Sequence, residues 1–402
     1  MRVIVVGAGF AGLAAASELV RSGAEVEILE ARDRVGGRVW SVPFAGAVVE
    51  RGAEFILPHD STVIATAERL GLPLVRKGTL YGQREPRGGS RPVSAADVAA
   101  AMAQIGAQPP RPAGVTAAVA LAGRELEPGV REAIVARLEI SCASGFDDLD
   151  AAVLSEGAAA FGDFDTHTVD GGNDRIAREI AARLGDSVRL SAPVTRVGWR
   201  EDEVRVVAGE REAVADAAVI AVPASVLDSI RFDPPLPPET ADAFGRVRYG
   251  QAAKLFVALK TPAPPSETLS VPDLFWCYTQ LGADGNPLRY VGAFAGSPVA
   301  LGGLAVGSGP DRWLEALARL RPDLELDTST VLLSTWADDP WVRAAYSARS
   351  ATSPMDTESL TRPVGPLAFA GEHTAGEWHG LMEGALRSGI RAAQDVLQAS
   401  MR

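Results

Sequence analysis

The chain has 402 residues, more than one compact domain usually holds, and its 47% hydrophobic and 22% charged content is that of a folded globular protein. A formal charge of −12 argues against nonspecific nucleic-acid binding, which depends on a basic surface. No run approaches the roughly 20 apolar residues of a membrane span, and two distant cysteines, Cys142 and Cys277, make no disulfide framework. With no basic and apolar leader ahead of the first predicted strand, the expectation is a cytoplasmic protein of two lobes. That strand, Arg2–Val6, is a β-branched run of the kind a buried parallel sheet uses. It leads into Gly7-Ala8-Gly9-Phe10-Ala11-Gly12, an Ala/Leu-rich helix to Arg21, and a second strand, Glu25–Leu29, closed by Glu30. Gly7 allows a tight turn, Gly9 lets backbone approach a pyrophosphate at the helix N-terminus, and Gly12 lets the helix pack close to the strand. Glu30 stands where a carboxylate accepts hydrogen bonds from an adenosine ribose.

The strand end continues as Glu30-Ala31-Arg32-Asp33-Arg34-Val35-Gly36-Gly37-Arg38, a loop of glycines and arginines that can wrap a permanently bound cofactor. This E-A-R-x-R-x-G-G-R run resembles that of the FAD-containing amine oxidases, the family of monoamine, polyamine and L-amino-acid oxidases. The resemblance implies FAD, with Gly37 and Arg38 among its contacts.

Residues 39–49 alternate like strands, followed by Glu50-Arg51-Gly52-Ala53-Glu54-Phe55-Ile56. In the family this stretch, here Gly52 to Phe55, runs along the flavin. L-Amino-acid oxidases of the best-known type carry a carboxylate-clamping arginine where this chain has Phe55, which weakens that reading and makes Phe55 a pocket residue. Residues 61–70 read as a helix. Between residues 83 and 114, proline- and arginine-rich runs at 84–92 and 109–112 read as punctuation. Helices are expected at 94–105 and 130–142, within a substrate lobe inserted into the FAD lobe. Ile176, Ile180 and Leu184 share one helix face after Gly171-Gly172. Residues 188–190, 194–199 and 204–207 then read as a meander, in which Val194 matches the family position beside the adenine. Residues 217–222 form a buried strand, and the proline-rich run 234–238 is expected to cross rigidly between lobes. A helix is expected at 239–246 and a strand at 249–259.

That strand holds Lys254 in an otherwise apolar run, where an ammonium is costly to bury without a partner. Either Lys254 reaches solvent at a strand end, or it matches the family lysine that holds a water against the flavin during reoxidation by oxygen. Aromatic strands at 275–278 and 288–294, joined by an Asp284-Gly285-Asn286 turn, are candidates for pocket lining or core. A helix at 311–320 and a strand at 328–334 close the second lobe.

Near the C-terminus, the segment from Trp336 resembles the family stretch beside the flavin ring. Where monoamine oxidases have a cysteine bonded to the flavin and then a tyrosine, this chain has Ala345 and Tyr346, which implies noncovalent FAD and one aromatic wall of the amine site. Gly371-Glu372 lies in F-A-G-E, and Met382-Glu383-Gly384-Ala385 opens M-E-G-A-x-x-S-G. These family motifs form a strand, turn and helix suited to the pyrophosphate and ribityl chain, with Leu381, Met382 and Ala385 at the cofactor. Leu381 replaces the second tyrosine of the monoamine oxidase cage, leaving it half built unless Trp378 swings in. His373 and His379 lack a carboxylate cluster at ligand spacing, so no metal is expected.

The implied fold is α/β: a discontinuous Rossmann-type FAD-binding domain of residues 1–82, 165–235 and 336–402, and an α+β substrate-binding domain of residues 83–164 and 236–335. The implied reaction is transfer of hydride from the α-carbon of a neutral amine to FAD, giving an imine and then an aldehyde or ketone, with O2 reduced to hydrogen peroxide. Lys254 and Tyr346 are the expected catalytic residues. An L-amino-acid oxidase, a flavin-dependent desaturase of related fold and a protein with purely structural FAD are the rivals. Oligomeric state is not legible.

Overall fold

The computed structural model describes residues 1–107, 114–156 and 164–400. The proline run at 109–112, residue 161 and the chain end at Arg402 lie outside them. At the centre is a five-stranded parallel sheet in the order Leu367–Phe369, Ala217–Ile220, β1 (Arg2–Val6), β2 (Glu25–Leu29) and Val188–Arg189. A strand buried on both faces needs apolar side chains at every buried position, as β1 has from Val3 to Val6. Its odd residues, Val3 and Val5, pack with α1 (Phe10–Arg21) and the C-terminal helix Met382–Ala399. The even ones, Ile4 and Val6, pack on the antiparallel strands Val194–Trp199, Val204–Ala208 and Arg211–Ala215. The two chain-end helices touch closely. A Cβ on Gly389 would stand 2.1 Å from the Ala11 carbonyl oxygen, so only glycine lets them meet.

The expected meander is corrected at its first member. Val188–Arg189 pairs in parallel with Ile28 and Leu29 as the edge of the central sheet, and Arg211–Ala215 supplies the third antiparallel strand. Local β propensity marks a strand without naming its partner, and here the partner is about 160 residues away in sequence.

The second large sheet has six strands, ordered Leu326–Thr335, Ala252–Leu259, Tyr290–Gly296, Phe275–Thr279, Ser266–Ser270 and Glu85–Arg87. The last corrects the reading of residues 84–92 as punctuation alone: Glu85–Arg87 pairs with Thr268, Leu269 and Ser270. Pro86 is tolerated there because an edge strand leaves one side of its ladder unpaired. All eight residues of Ala252–Leu259 are buried. Leu255 and Val257 face the cluster around Trp313 on helix Asp311–Leu320, and Phe256 packs with Val49 and Tyr290 on the other face. With a side-chain period of two, Lys254 shares the Phe256 face and is turned toward the segment that follows Val49.

Candidate active site

A cavity of about 560 Å3 extends from the C-terminal ends of β1 and β2 to the six-stranded sheet. Of the residues expected at the cofactor or the amine, all border it except Gly12 and Trp378.

At the parallel sheet, Gly7 turns the chain at φ 101° and its N–H donates to the Leu29 carbonyl at 2.8 Å. Gly12 sits directly behind this turn, where a Cβ would stand 1.9 Å from the Gly7 carbonyl oxygen. Gly9, in contrast, faces open space, and α1 begins after it without a side-chain cap. Uncapped first-turn N–H groups beside a cavity make an anion site. Glu30 accepts the Ala8 N–H at 2.7 Å on one oxygen and the Arg32 N–H at 2.9 Å on the other. Each oxygen retains capacity for one more donor, which fits the two hydroxyls of a ribose. Burial pushes the Glu30 carboxyl upward against these backbone donors. Arg32 makes a forked pair with Asp339 at 2.6 and 2.8 Å, a partner unremarked in the sequence.

The two ends of the chain are tied by Arg38, whose Nη1 donates to Glu372 Oε1 at 2.9 Å and to the Ala345 carbonyl at 2.8 Å. Glu372 also accepts the Ser347 hydroxyl and, at 2.7 Å, the Gly380 N–H. Burial works against the Glu372 charge, but Arg38 and these donors prevail and hold the carboxyl at about 2. Burial pushes the neighbouring His373 down to about 4.

These shifts set an acid limit. His373 drops from 6.5, so between pH 6.5 and 4 the unfolded chain binds a proton that the folded chain refuses, and stability drains as pH falls. Glu372 has the same sign from 4.5 down to about 2. Glu50 and Glu267, raised by burial to about 7, act oppositely, losing their contribution as pH rises from 4.5 to 7. The melting temperature is therefore expected to fall below pH 4.5, where the contributions of Glu50 and Glu267 are already complete, and Glu50→Gln to reduce the stability gained as pH drops from 7 to 4.5. A melting temperature that stays level from pH 4.5 to 2.5 contradicts this.

At the six-stranded sheet, Phe55 meets Trp276 and Tyr278 at 5.5 Å and Tyr81 at 5.9 Å between ring centroids. Lys254 is not at a solvent-facing strand end. Its ammonium is buried, donating to Glu54 Oε2 at 2.6 Å and to the Glu50 carbonyl at 3.0 Å. Tyr278 donates to the same Glu54 oxygen at 2.6 Å. Tyr346 donates to the Ser141 carbonyl at 2.8 Å, and burial raises its phenol well above the usual range.

Trp378, which would complete the cage only by swinging in, does not border the cavity. Its ring is half-buried beneath the Arg387 guanidinium at 4.4 Å, and Arg387 is itself held by Glu383 at 2.6 Å. Leu381 stays at the rim, 44% exposed. Sequence reasoning missed Tyr81, Arg84 and Arg137 on the cavity wall, because they come from the segment with the least motif content.

Residues 10–397 match the profile of the flavin containing amine oxidoreductases. A Mycobacterium tuberculosis (strain H37Rv) chain assigned as flavin-containing monoamine oxidase AofH is 32% identical, over 98% of this chain and 96% of that one. Putrescine oxidase of Kocuria rosea is 30% identical over 99% and 95%. Among solved structures, wild-type putrescine oxidase bound to putrescine superposes with a TM-score of 0.84 at 25% identity, covering 99% of both chains. Cyclohexylamine oxidase from Brevibacterium oxydans IH-35A shares the fold, with a TM-score of 0.84 over 100% of this chain and 99% of that one.

Proposed function

The chain belongs to the flavin-containing amine oxidoreductases, FAD-dependent enzymes acting on amines, and on that premise we propose that residues 1–82, 165–235 and 336–402 hold FAD noncovalently while residues 83–164 and 236–335 shape the amine site. FAD, when bound, supplies the two-electron acceptor: hydride leaves the α-carbon of a neutral amine, water converts the imine to a carbonyl compound plus ammonia or a smaller amine, and O2 with two electrons and two protons becomes H2O2. Glu30 holds the adenosine ribose, the first turn of α1 and the turn at Gly371 hold the pyrophosphate, and Arg38 with Glu372 locks the two halves of this cradle together. Ala345 offers no sulfur to bond the ring, which supports noncovalent binding. Tyr346 and Phe55 form apolar walls that favour the neutral amine, since desolvation lowers an amine's pKa. Lys254, oriented by Glu54, holds the water used in the oxygen reaction. We place the protein in the cytoplasm: both cysteines are free thiols, and among the described residues no helix is long and apolar enough to cross a membrane.

The observation that carries this reading is that the Glu30 cradle and the aromatic chamber at Phe55 open into one cavity, with Lys254 on its wall. With a reactive amine in air, oxygen uptake, hydrogen peroxide and carbonyl product should appear in equal amounts. Carbonyl product without oxygen uptake would assign the electrons to another acceptor, and no product from any amine would defeat the reading. Gly12→Ala tests the cradle separately. Its methyl has no room beside the Gly7 carbonyl, so the purified variant is expected to carry little FAD, whereas full flavin content would show that the turn adjusts.

A further inference from the structure

Oxidising an ammonium to an iminium removes one hydride and one proton, and reducing O2 to H2O2 takes up two electrons and two protons, the equivalent of one hydride and one proton. The proton that the substrate sheds is therefore the one that peroxide needs. Most amines are protonated in neutral water, so this proton has to pass to an acceptor before hydride can leave the α-carbon. Of the acids bordering the cavity, Glu30 lies in the ribose cradle, Glu372 is held by Arg38, Ser347 and Gly380, and Asp60 takes the Leu57 N–H ahead of the helix Ser61–Leu70. Glu54 is the one set between the aromatic chamber and Lys254, with Tyr278 and Lys254 both donating to its Oε2 at 2.6 Å. Its Oε1 accepts no hydrogen bond among the described residues, yet it is not one of their sealed, partnerless atoms. The side chain is 4% exposed and the residue borders the cavity, so the free lone pairs of Oε1 lie on the chamber side. One oxygen faces the amine and the other the lysine.

We propose that Glu54 is the proton carrier of the reaction, taking the proton of the substrate ammonium on Oε1 and returning it through Lys254 to oxygen. This rests on the amine-oxidase reading above and adds the fate of its proton. The N–H bond broken in the ammonium is replaced by an O–H bond on Glu54, leaving the neutral amine. When Lys254 gives a proton to oxygen as it is reduced, the Glu54 carboxyl rotates its own proton onto the lysine side and restores the ammonium, becoming a carboxylate again. The surrounding charges favour the first transfer. Lys77, also buried, adds a second cation whose charge reaches Glu54 and Lys254. Burial raises Glu50 and Glu267 to about 7, weakening both as counter-charges, and holds the phenols of Tyr278 and Tyr290 well above their usual range, so both stay neutral. An ammonium arriving beside two lysines is repelled, and repulsion between like charges loosens its proton toward the nearest free oxygen. Desolvation pushes the same way, because an amine beside a carboxylic acid buries less charge than an ammonium beside a carboxylate.

The test follows anaerobic flavin reduction by butylamine and benzylamine across pH. In wild type the second-order rate constant is expected to stay level from about pH 6 to about pH 9, because the ammonium itself is productive. Glu54→Gln can use only the neutral amine, so its rate constant should climb about tenfold per pH unit and lie on the order of a hundredfold below wild type at about pH 7. Glu54→Asp, which keeps a carboxylate, should restore a level profile at a lower rate. As a readout apart from turnover, tert-butylamine and 2-phenylpropan-2-amine, which have no α-hydrogen, are titrated into the oxidised enzyme by calorimetry in two buffers of different ionisation enthalpy. Wild type should bind them without releasing a proton, and Glu54→Gln should release a proton with each amine bound. If Glu54→Gln does not fold, Lys254→Met/Glu54→Gln, which strands no charge, replaces it and should climb and release in the same way. A level profile without the carboxylate, or a wild type that climbs with pH and releases a proton on binding, would overturn the proposal and leave the amine oxidase intact. If no amine reduces the flavin, the broader reading fails, and the calorimetry alone decides whether Glu54 keeps the proton.

Discussion

Replacing Lys254 with methionine is expected to slow reoxidation of the reduced enzyme by oxygen on the order of a hundredfold, the lower end of what a positioned proton-transfer group contributes. Anaerobic reduction by an amine should change far less, because no proton acceptor on the protein is required when the amine arrives neutral. The structure adds a condition. Lys254 is the cation that compensates buried Glu54, and Tyr278 donates to the same carboxylate oxygen. Removing one partner of a buried ion pair costs about 3–5 kcal/mol, so the single variant will lose stability as well as oxygen reactivity. The double variant Lys254→Met/Glu54→Gln removes the stranded charge. It should recover much of the stability and none of the oxygen reactivity. Stopped-flow reoxidation with both proteins separates the two effects, and a Lys254→Met enzyme that reoxidises at the wild-type rate would remove the lysine from the mechanism.

Glu372→Leu is the second large effect. It strands the Arg38 guanidinium, the Ser347 hydroxyl and the Gly380 N–H, all of which Glu372 now satisfies. The expected loss is about 3–5 kcal/mol in denaturant unfolding, with weakened retention of FAD. Arg38→Leu should be comparably harmful because it leaves a carboxylate held at about 2 buried without its cation. Arg38→Leu/Glu372→Leu should cost clearly less than the two single changes added together, the mark of a coupled pair. Additive losses would mean that Arg38 and Glu372 act through separate contacts.

How far this site could be read from sequence depended on how local each signal was. The span from Arg2 to Glu30 forms the expected strand, turn, helix and strand, since β-branched residues, glycines and alanines each constrain their own stretch of backbone. Lys254 shows the next grade. An ammonium in an apolar strand demanded a partner, but nothing in residues 252–259 pointed to Glu54, 200 positions earlier. Arg84 lies beyond that. In sequence it is one charge in a run of arginines, prolines and glycines; in the fold, the edge strand Glu85–Arg87 carries it between Trp276 and Ser141. Trp378 went the other way. An aromatic residue near the cage position invited a role in the cage, yet Trp378 does not border the cavity and its ring stacks with Arg387, one helical turn after Glu383.

The central claim is that this chain binds FAD noncovalently and uses it on amines, and the absorption spectrum of the purified protein tests that most directly. The account predicts a yellow protein whose flavin passes into solution on acid precipitation. It also predicts that the spectrum bleaches when an amine or amino acid is added without oxygen and returns, with hydrogen peroxide, when air is admitted. A colourless protein that takes up no FAD would contradict it at the root, and a flavin that stays with the acid-precipitated protein would contradict the reading of Ala345.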